Sequence, residues 1–303
     1  MIQEFLIIIA IIALGYFLKQ MKVFQEKDGG VIANIIFKIT LPALVIVTFD
    51  SVQMETSLML IPVLVITYGI VISALGLVLF KNEEKELKGS FLMLASSFNV
   101  GLFAFPLVYM IWGTTGLTYF SMFDVGTSFI TFVIAYILGS YFSKEGLQLN
   151  PTEILKKLVK SVPLMTYLFA VTLNLLQISL PDGIIQVAGI LSEANVPLSL
   201  LLLGIYMNFK LDRELLVPVG KFLLFRYSFG LLLGIALFII LPFEEMFRYT
   251  IFIGFLLPAA ASVVPFAVEF NYSYTSIRVI AAITNISILI GIIILFLFAN
   301  VVV

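Results

Sequence analysis

The feature that most constrains this chain is a succession of long apolar runs joined by short polar connections. A helix needs roughly 20 apolar residues to cross the hydrocarbon core of a bilayer. Runs of that kind cover Ile2–Leu18, Val31–Phe49, Leu58–Phe80, Gly89–Trp112, Leu117–Phe142, Val162–Ile178, Ile184–Phe209, Leu215–Leu241, Phe247–Val268 and Ile277–Val302. Inside lipid every backbone polar group has to be satisfied by the segment itself or by a closed barrel. Barrel strands are short and alternate in polarity, whereas these runs are long and uninterrupted. The sequence therefore predicts an all-α membrane protein of ten transmembrane helices. Composition supports this, with 61% hydrophobic and 12% charged residues. Soluble domains have about 45–50% and about 25%, so most of this surface needs lipid as its solvent.

The same inventory excludes several chemistries. A net charge of −1 excludes a basic nucleic-acid surface as the main theme. The chain contains neither Cys nor His. That removes disulfides, thiolate and imidazole metal sites, and Ser-His or Cys-His nucleophiles. No cofactor, metal or enzymatic activity is expected. The first run reads as a retained span and not as a signal peptide, because Glu4 stands where a basic region belongs and Lys19 and Lys22 follow the run.

Basic residues set the expected orientation. Lys19, Lys22 and Lys27 follow the first run, Lys81, Lys85 and Lys88 the third, and Lys144, Lys156, Lys157 and Lys160 the fifth. Lys210, Arg213 and Lys221 lie around the seventh and eighth. The alternate connections carry Asp50, Glu55, Asp182, Glu244 and Glu245, with Arg248 against them. This places the basic connections in the cytoplasm and both termini outside, in a multi-pass protein of the cell (plasma or inner) membrane. The connection 143–161 contains Asn150-Pro151-Thr152-Glu153, a helix start, followed by Ile154, Leu155, Leu158 and Val159 at helical spacing among lysines. It predicts a short amphipathic helix on the anionic leaflet. It also divides the chain into 1–142 and 162–303.

Those halves carry matching landmarks. Pro42, in Thr40-Leu41-Pro42-Ala43-Leu44, and Pro197, in Asn195-Val196-Pro197-Leu198-Ser199, stand 155 positions apart. Asn99 and Pro106 stand 159 positions before Pro258 and Pro265, respectively. Each half would hold five spans, so the second copy would cross in the opposite sense, giving two inverted five-helix repeats of the kind secondary transporters use. The fourth span contains Ser96-Ser97-Phe98-Asn99-Val100-Gly101 and then Pro106; the ninth contains Pro258-Ala259-Ala260-Ala261-Ser262 and then Pro265. Proline and glycine interrupt helices. Unwound backbone at mid-membrane is tolerated only inside protein or along a wet cavity. Broken helices four and nine, crossing through small residues, would offer backbone groups and a positive half-helix N-terminus to an anion.

The ten runs, Leu41-Pro42-Ala43-Leu44, Asn99-x-Gly101 with Pro106, and Phe123-Asp124-x-Gly126 together resemble the auxin efflux carrier family over essentially the whole chain. Bacterial members of that family are often described as malate or related organic-anion permeases. The resemblance implies the fold of bile-acid sodium symporters, in which crossing broken helices move against a scaffold, and it implies that Asn99 and the Pro106 region lie at the substrate site. It also makes a homodimer plausible. Ala104 departs from the glycine of the family pattern, and the long loop of plant members is missing.

The expected substrate residues are thus Asn99, Gly101, Pro106, Pro258, Ser262, Pro265 and Asn285. The last belongs to Thr284-Asn285-Ile286-Ser287, which would suit a cavity wall. Ionisable groups at mid-membrane are costly and mark cavities or pairs. Asp124 and Glu193 are candidates for coupling to Na+ or H+, Asp124 equally for a structural hydrogen-bonded acid. Lys38 could neutralise a carboxylate, although its long stem favours reaching to the interface. The expected function is secondary transport of a small organic anion by alternating access. The alternative is a transporter-like membrane sensor that binds ligand and signals to a partner.

Overall fold

The apolar runs fold as helices, and the chain leaves helical geometry where glycine, proline, serine or charge accumulates. The computed structural model describes residues 2–52, 55–147, 150–208 and 212–302, and among these helix is the sole regular element. Lys210 of the basic connections, Phe209 at the expected end of the seventh run, Gln148 and Leu149 of the linker, and the terminal Met1 and Val303 lie outside the described residues. Helix α1 covers Ile2–Gln20, α2 Gly29–Ser51 and α3 Thr56–Leu79. Helix α4, Lys85–Ala95, is short. Helix α5 runs over Val100–Tyr141. Then follow α6 (Pro151–Lys160), α7 (Val162–Leu175), α8 (Asp182–Tyr206) and α9 (Arg213–Ile240). Helices α10 (Glu245–Phe255), α11 (Val263–Glu269) and α12 (Tyr274–Val302) complete the chain.

Six of these, α2, α3, α5, α8, α9 and α12, are long and apolar enough to cross a membrane singly, and the α6–α7 pair, bent by 66°, would be a seventh. The expected fourth and fifth runs divide differently from the sequence boundaries. α4 ends early, and α5 continues for 42 residues. A straight helix of that length would reach roughly 60 Å, about twice the apolar thickness of a bilayer. α5 instead kinks at Gly113, whose φ of 62° and ψ of −147° suit glycine alone. The expected ninth run is α10 and α11, separated by the non-helical stretch 256–262. The linker helix forms where expected: the Asn150 side chain accepts hydrogen bonds from the backbone N–H groups of Thr152 and Glu153 at 3.1 and 3.3 Å.

Small residues let the helices approach. Gly15 of α1 and Gly204 of α8 face each other so closely that a Cβ on either would meet the other helix's backbone carbonyl, at Leu201 and Ile12 respectively. Gly126 of α5 packs on Pro62 of α3, where a Cβ would lie 2.9 Å from the proline carbonyl oxygen. Helix α9 is two-sided. Val217, Leu224, Leu232 and Ile239 project outward, and Val219, Phe222, Arg226, Gly230 and Gly234 are buried. The outward stripe is apolar and exposed, as a lipid-facing surface must be.

The basic connections gather at one end. Lys144 and Lys157 pair with Glu86 at 3.6 Å and Glu269 at 2.8 Å. Lys221 pairs with Glu83, and Arg278 with Asp212. At the far end Asn174 donates to the carbonyls of Phe49 and Val52, both at 2.6 Å, tying α7 to the end of α2. The Gly204 contact sets a prediction. Gly204→Ala overpacks α1 against α8 and should lower stability by about 1–3 kcal/mol, read as a lower melting temperature in detergent. Gly220→Ala, with open space around its Cβ, should be neutral or slightly stabilising.

Candidate functional site

Helix α4 stops because its last residues compete for backbone. The Ser96 hydroxyl donates to Leu92 O at 3.1 Å and the Ser97 hydroxyl to Leu94 O at 3.4 Å, an alternative to continuing the ladder. Asn99 then takes φ −90° and ψ 77°, and the chain resumes as a π-helical turn, Val100–Ala104. Pro106 follows at the start of the regular helix, where no backbone donor is required. On the other side α10 ends at Phe255, Pro258 interrupts, and α11 begins at Val263. The two non-helical stretches touch: the Asn99 N–H donates to the Pro258 carbonyl at 2.9 Å. The Ala259 N–H donates to the Ser287 hydroxyl at 3.1 Å, and that hydroxyl donates to Thr284 O at 2.8 Å.

A fully buried arginine holds the same place. Arg226 of α9 has 0% exposure. Its Nη1 donates to Leu94 O and Ala95 O at 2.6 and 2.9 Å. Its Nη2 donates to Ser97 O at 2.8 Å and to Leu257 O at 3.0 Å. The guanidinium lies over the Phe98 ring, 4.7 Å from its centre. One side chain thus serves carbonyls at the C-terminal ends of both α4 and α10, sharing Leu94 O with the Ser97 hydroxyl.

Beside this junction opens a cavity of about 460 Å³. Its wall includes Asn99, Gly101, Asp124, Ser262 and Pro265, with Phe37, Phe98, Phe132 and Tyr206 as its aromatic surface. All three π-helical turns of the described residues contribute to it: Phe37 and Lys38 from Ile36–Thr40, Val100–Leu102 from Val100–Ala104, and Thr131 and Phe132 from Ile130–Ala135. A π turn widens the helix and redirects side chains, and such turns recur at functional sites. Two cations, Lys38 of α2 and Lys160 at the end of α6, also line the wall. Lys38 is exposed and borders the cavity, a position from which its stem can also reach the interface. A second cavity of about 530 Å³ lies between the ends of α2 and α7, around Asp50 and Asn174, and shares no residue with the first.

Asp124 sits in the α5 wall and accepts a hydrogen bond from the Tyr167 hydroxyl of α7 at 2.8 Å. The Asn195 side-chain amide donates to the Thr40 hydroxyl at 3.1 Å, a side-chain hydrogen bond between α8 and α2. At the basic end Glu269 of α11 accepts from the Tyr136 hydroxyl at 2.7 Å and pairs with Lys157 of α6, so the linker helix is fastened to the end of the second interrupted pair.

Of the residues singled out in the sequence, Asn99, Gly101, Ser262, Pro265 and Asp124 come together on one wall. Pro106 and Pro258 are buried behind it, the Pro258 ring against Gly291. Asn285 turns away: its side-chain oxygen accepts from the Asn208 N–H at 2.9 Å and its amide donates to Ala281 O at 3.0 Å. Glu193 is exposed and lines neither cavity. Ser287, expected in a cavity wall, anchors the break after Pro258. Arg226, Tyr167 and Lys160 carry roles that the motifs did not disclose. Arg226 had a signal, an arginine near the middle of the apolar run Leu215–Leu241, well inside Lys221 at its start.

The Asp124–Tyr167 bond yields a prediction. Tyr167→Phe leaves the half-buried Asp124 carboxyl short of a donor and should cost about 1–3 kcal/mol of stability, measured as the shift in thermal unfolding in detergent. Asp124→Asn combined with Tyr167→Phe should cost less than the two separate losses added together.

Comparison with known proteins agrees with this architecture. A family model described as membrane transport protein matches residues 1–299. An uncharacterized transporter of Methanothermobacter thermautotrophicus is 26% identical over 217 residues, 70% of each chain. An uncharacterized transporter of Methanocaldococcus jannaschii is 26% identical over 247 residues, 78% of this chain and 75% of that one. With a match running from the first helix into the last, this multi-pass chain belongs to the membrane transport protein family, the auxin efflux carrier family that its motifs resemble.

Proposed function

We propose that the protein is a secondary carrier that moves a small organic anion across the cell membrane by alternating access. The observation that carries this reading is the Asn99–Pro258 hydrogen bond. It joins two helix interruptions that stand 159 positions apart, the offset that also relates Pro106 to Pro265. Thr40 and Asn195, in the other pair of landmarks and 155 positions apart, are likewise bonded to one another. Equivalent residues of two inverted copies meet when they lie near the pseudo-two-fold axis, so both contacts support a pair of inverted five-helix repeats, 1–142 and 162–303, joined by the linker 143–161. In this reading α4 with the first limb of α5 is span four, and α10 with α11 is span nine. With α1 and α7 also crossing, the spans number ten.

The substrate would sit against Asn99, Gly101, Ser262 and Pro265, with Pro106 and Pro258 shaping the backbone behind them. Lys38 and Lys160 favour an anion, and the aromatic wall favours an organic one. Asp124 is placed to bind Na+ or a proton for coupling, and its contact with Tyr167 would change as a cation arrives. Glu193, exposed and away from the wall, is the weaker coupling candidate. The basic end is cytoplasmic and both termini are extracytoplasmic, by the excess of lysine there. The functional unit is a homodimer, as the family resemblance implies.

The test is uptake into proteoliposomes of radiolabelled carboxylates, including malate and indole-3-acetate, with voltage, sodium and pH varied in turn. Saturable uptake of one compound is expected, and Asn99→Ala should abolish it with the protein still folded. Undiminished uptake in that variant rejects the site. Specific binding of a carboxylate with no uptake would reject the carrier and favour a sensor.

A further inference from the structure

Breaking α4 and α10 at mid-membrane creates a charge problem as well as a hydrogen-bond problem. Each helix C-terminus carries roughly half a negative charge, and Arg226 meets both. Its Nη1 serves carbonyls of Leu94 and Ala95 at the end of α4, and its Nη2 spans the gap, bonding Ser97 O on one break and Leu257 O on the other. A planar fork of donors can do this; a lysine ammonium is a compact point donor on a flexible stem and cannot reach both breaks with the same geometry. The two half charges sum to about one elementary charge, which a single guanidinium matches. Phe98, next to Asn99, packs against the guanidinium face. Arg226 is absent from the cavity wall, so it acts on the site through the backbone at Asn99 and Pro258.

We propose that Arg226 is a positioning residue, a permanent internal cation that locks α4 and α10 into one body and thereby holds the Asn99 and Pro258 breaks in register as the site changes access. The link to transport rests on the carrier reading above; the lock itself does not. Deleting the side chain should leave a cage of four backbone carbonyls that takes up a free guanidinium ion.

The chain has no cysteine, so paired spin labels read this directly. Lys85→Cys with Glu245→Cys reports the distance between the outer ends of α4 and α10. Leu6→Cys with Ile190→Cys, on α1 and α8, is the control pair. A narrow distance distribution is expected for both pairs with Arg226 present. Arg226→Ala should broaden the first pair alone, and ethylguanidinium, the fragment this substitution deletes, should narrow it again. Arg226→Lys should also broaden the first pair, and it carries the test if the alanine variant fails to accumulate. In proteoliposomes Arg226→Ala should lose uptake roughly tenfold or more, the scale of a lost charged hydrogen bond, and regain it with ethylguanidinium. A first pair that stays narrow, both pairs broadening together, or no response to ethylguanidinium overturns the lock. Broadening with uptake unchanged overturns the positioning role. If the unsubstituted protein transports none of the carboxylates, the carrier reading fails, and the spin-label distances still decide the lock.

Discussion

The structure depends on closing two helix ends inside the protein. An interrupted helix exposes carbonyls that lipid cannot solvate, each costing several kcal/mol if left alone. Here the Arg226 guanidinium takes four of them, and the Asn99–Pro258 and Ala259–Ser287 bonds satisfy further groups at the same junction. A buried cation without such partners would be costly in turn. The arginine thus supplies donors to the broken ends, and the broken ends supply acceptors to the buried guanidinium.

What the junction makes available is a wall of irregular backbone facing a cavity. Three π-helical turns, one from α2 and two from α5, converge on it, widening the helices where they border the cavity. Gly101 is part of this fit, since a Cβ there would come within 2.7 Å of the Phe37 ring. The cavity reaches the basic end through Lys160, and α6 is held there by the Lys157–Glu269 pair at 2.8 Å. An exposed ion pair of this kind contributes about 1 kcal/mol or less. It orients the linker helix more than it stabilises the fold.

Much of this was readable along the chain because the determinants are local. Proline, glycine and clustered serine disturb the helix in which they occur, so the interruptions near Asn99 and Pro258 could be marked without knowing their surroundings. Asn150 caps its own helix for the same reason. Asp124 was marked by the cost of a carboxylate in an apolar run, although its partner Tyr167 was invisible in a row of aromatics. Lys38 was assigned to the interface from the length of its stem, and Asn285 to a cavity wall from its neighbours. Both depend on where other helices stand: Lys38 borders a cavity that α5, α6, α7, α8 and α11 also line, and the Asn285 side chain accepts from the Asn208 backbone N–H.

The sequence by itself determined that this chain lives in lipid, that it is helical, which connections are basic, and where its helices are interrupted. Each of these follows from transfer free energy or backbone sterics acting over a few turns. Only the tertiary structure decided that the two interruptions meet, that one arginine from a third helix closes both, and that α5 kinks at Gly113. Those outcomes are set by contacts between residues more than a hundred positions apart, such as Arg226 with Leu94 and Asn195 with Thr40. Apolar helices in lipid give no strong preference for one neighbour over another, so close-packed glycines and buried hydrogen bonds select the partner.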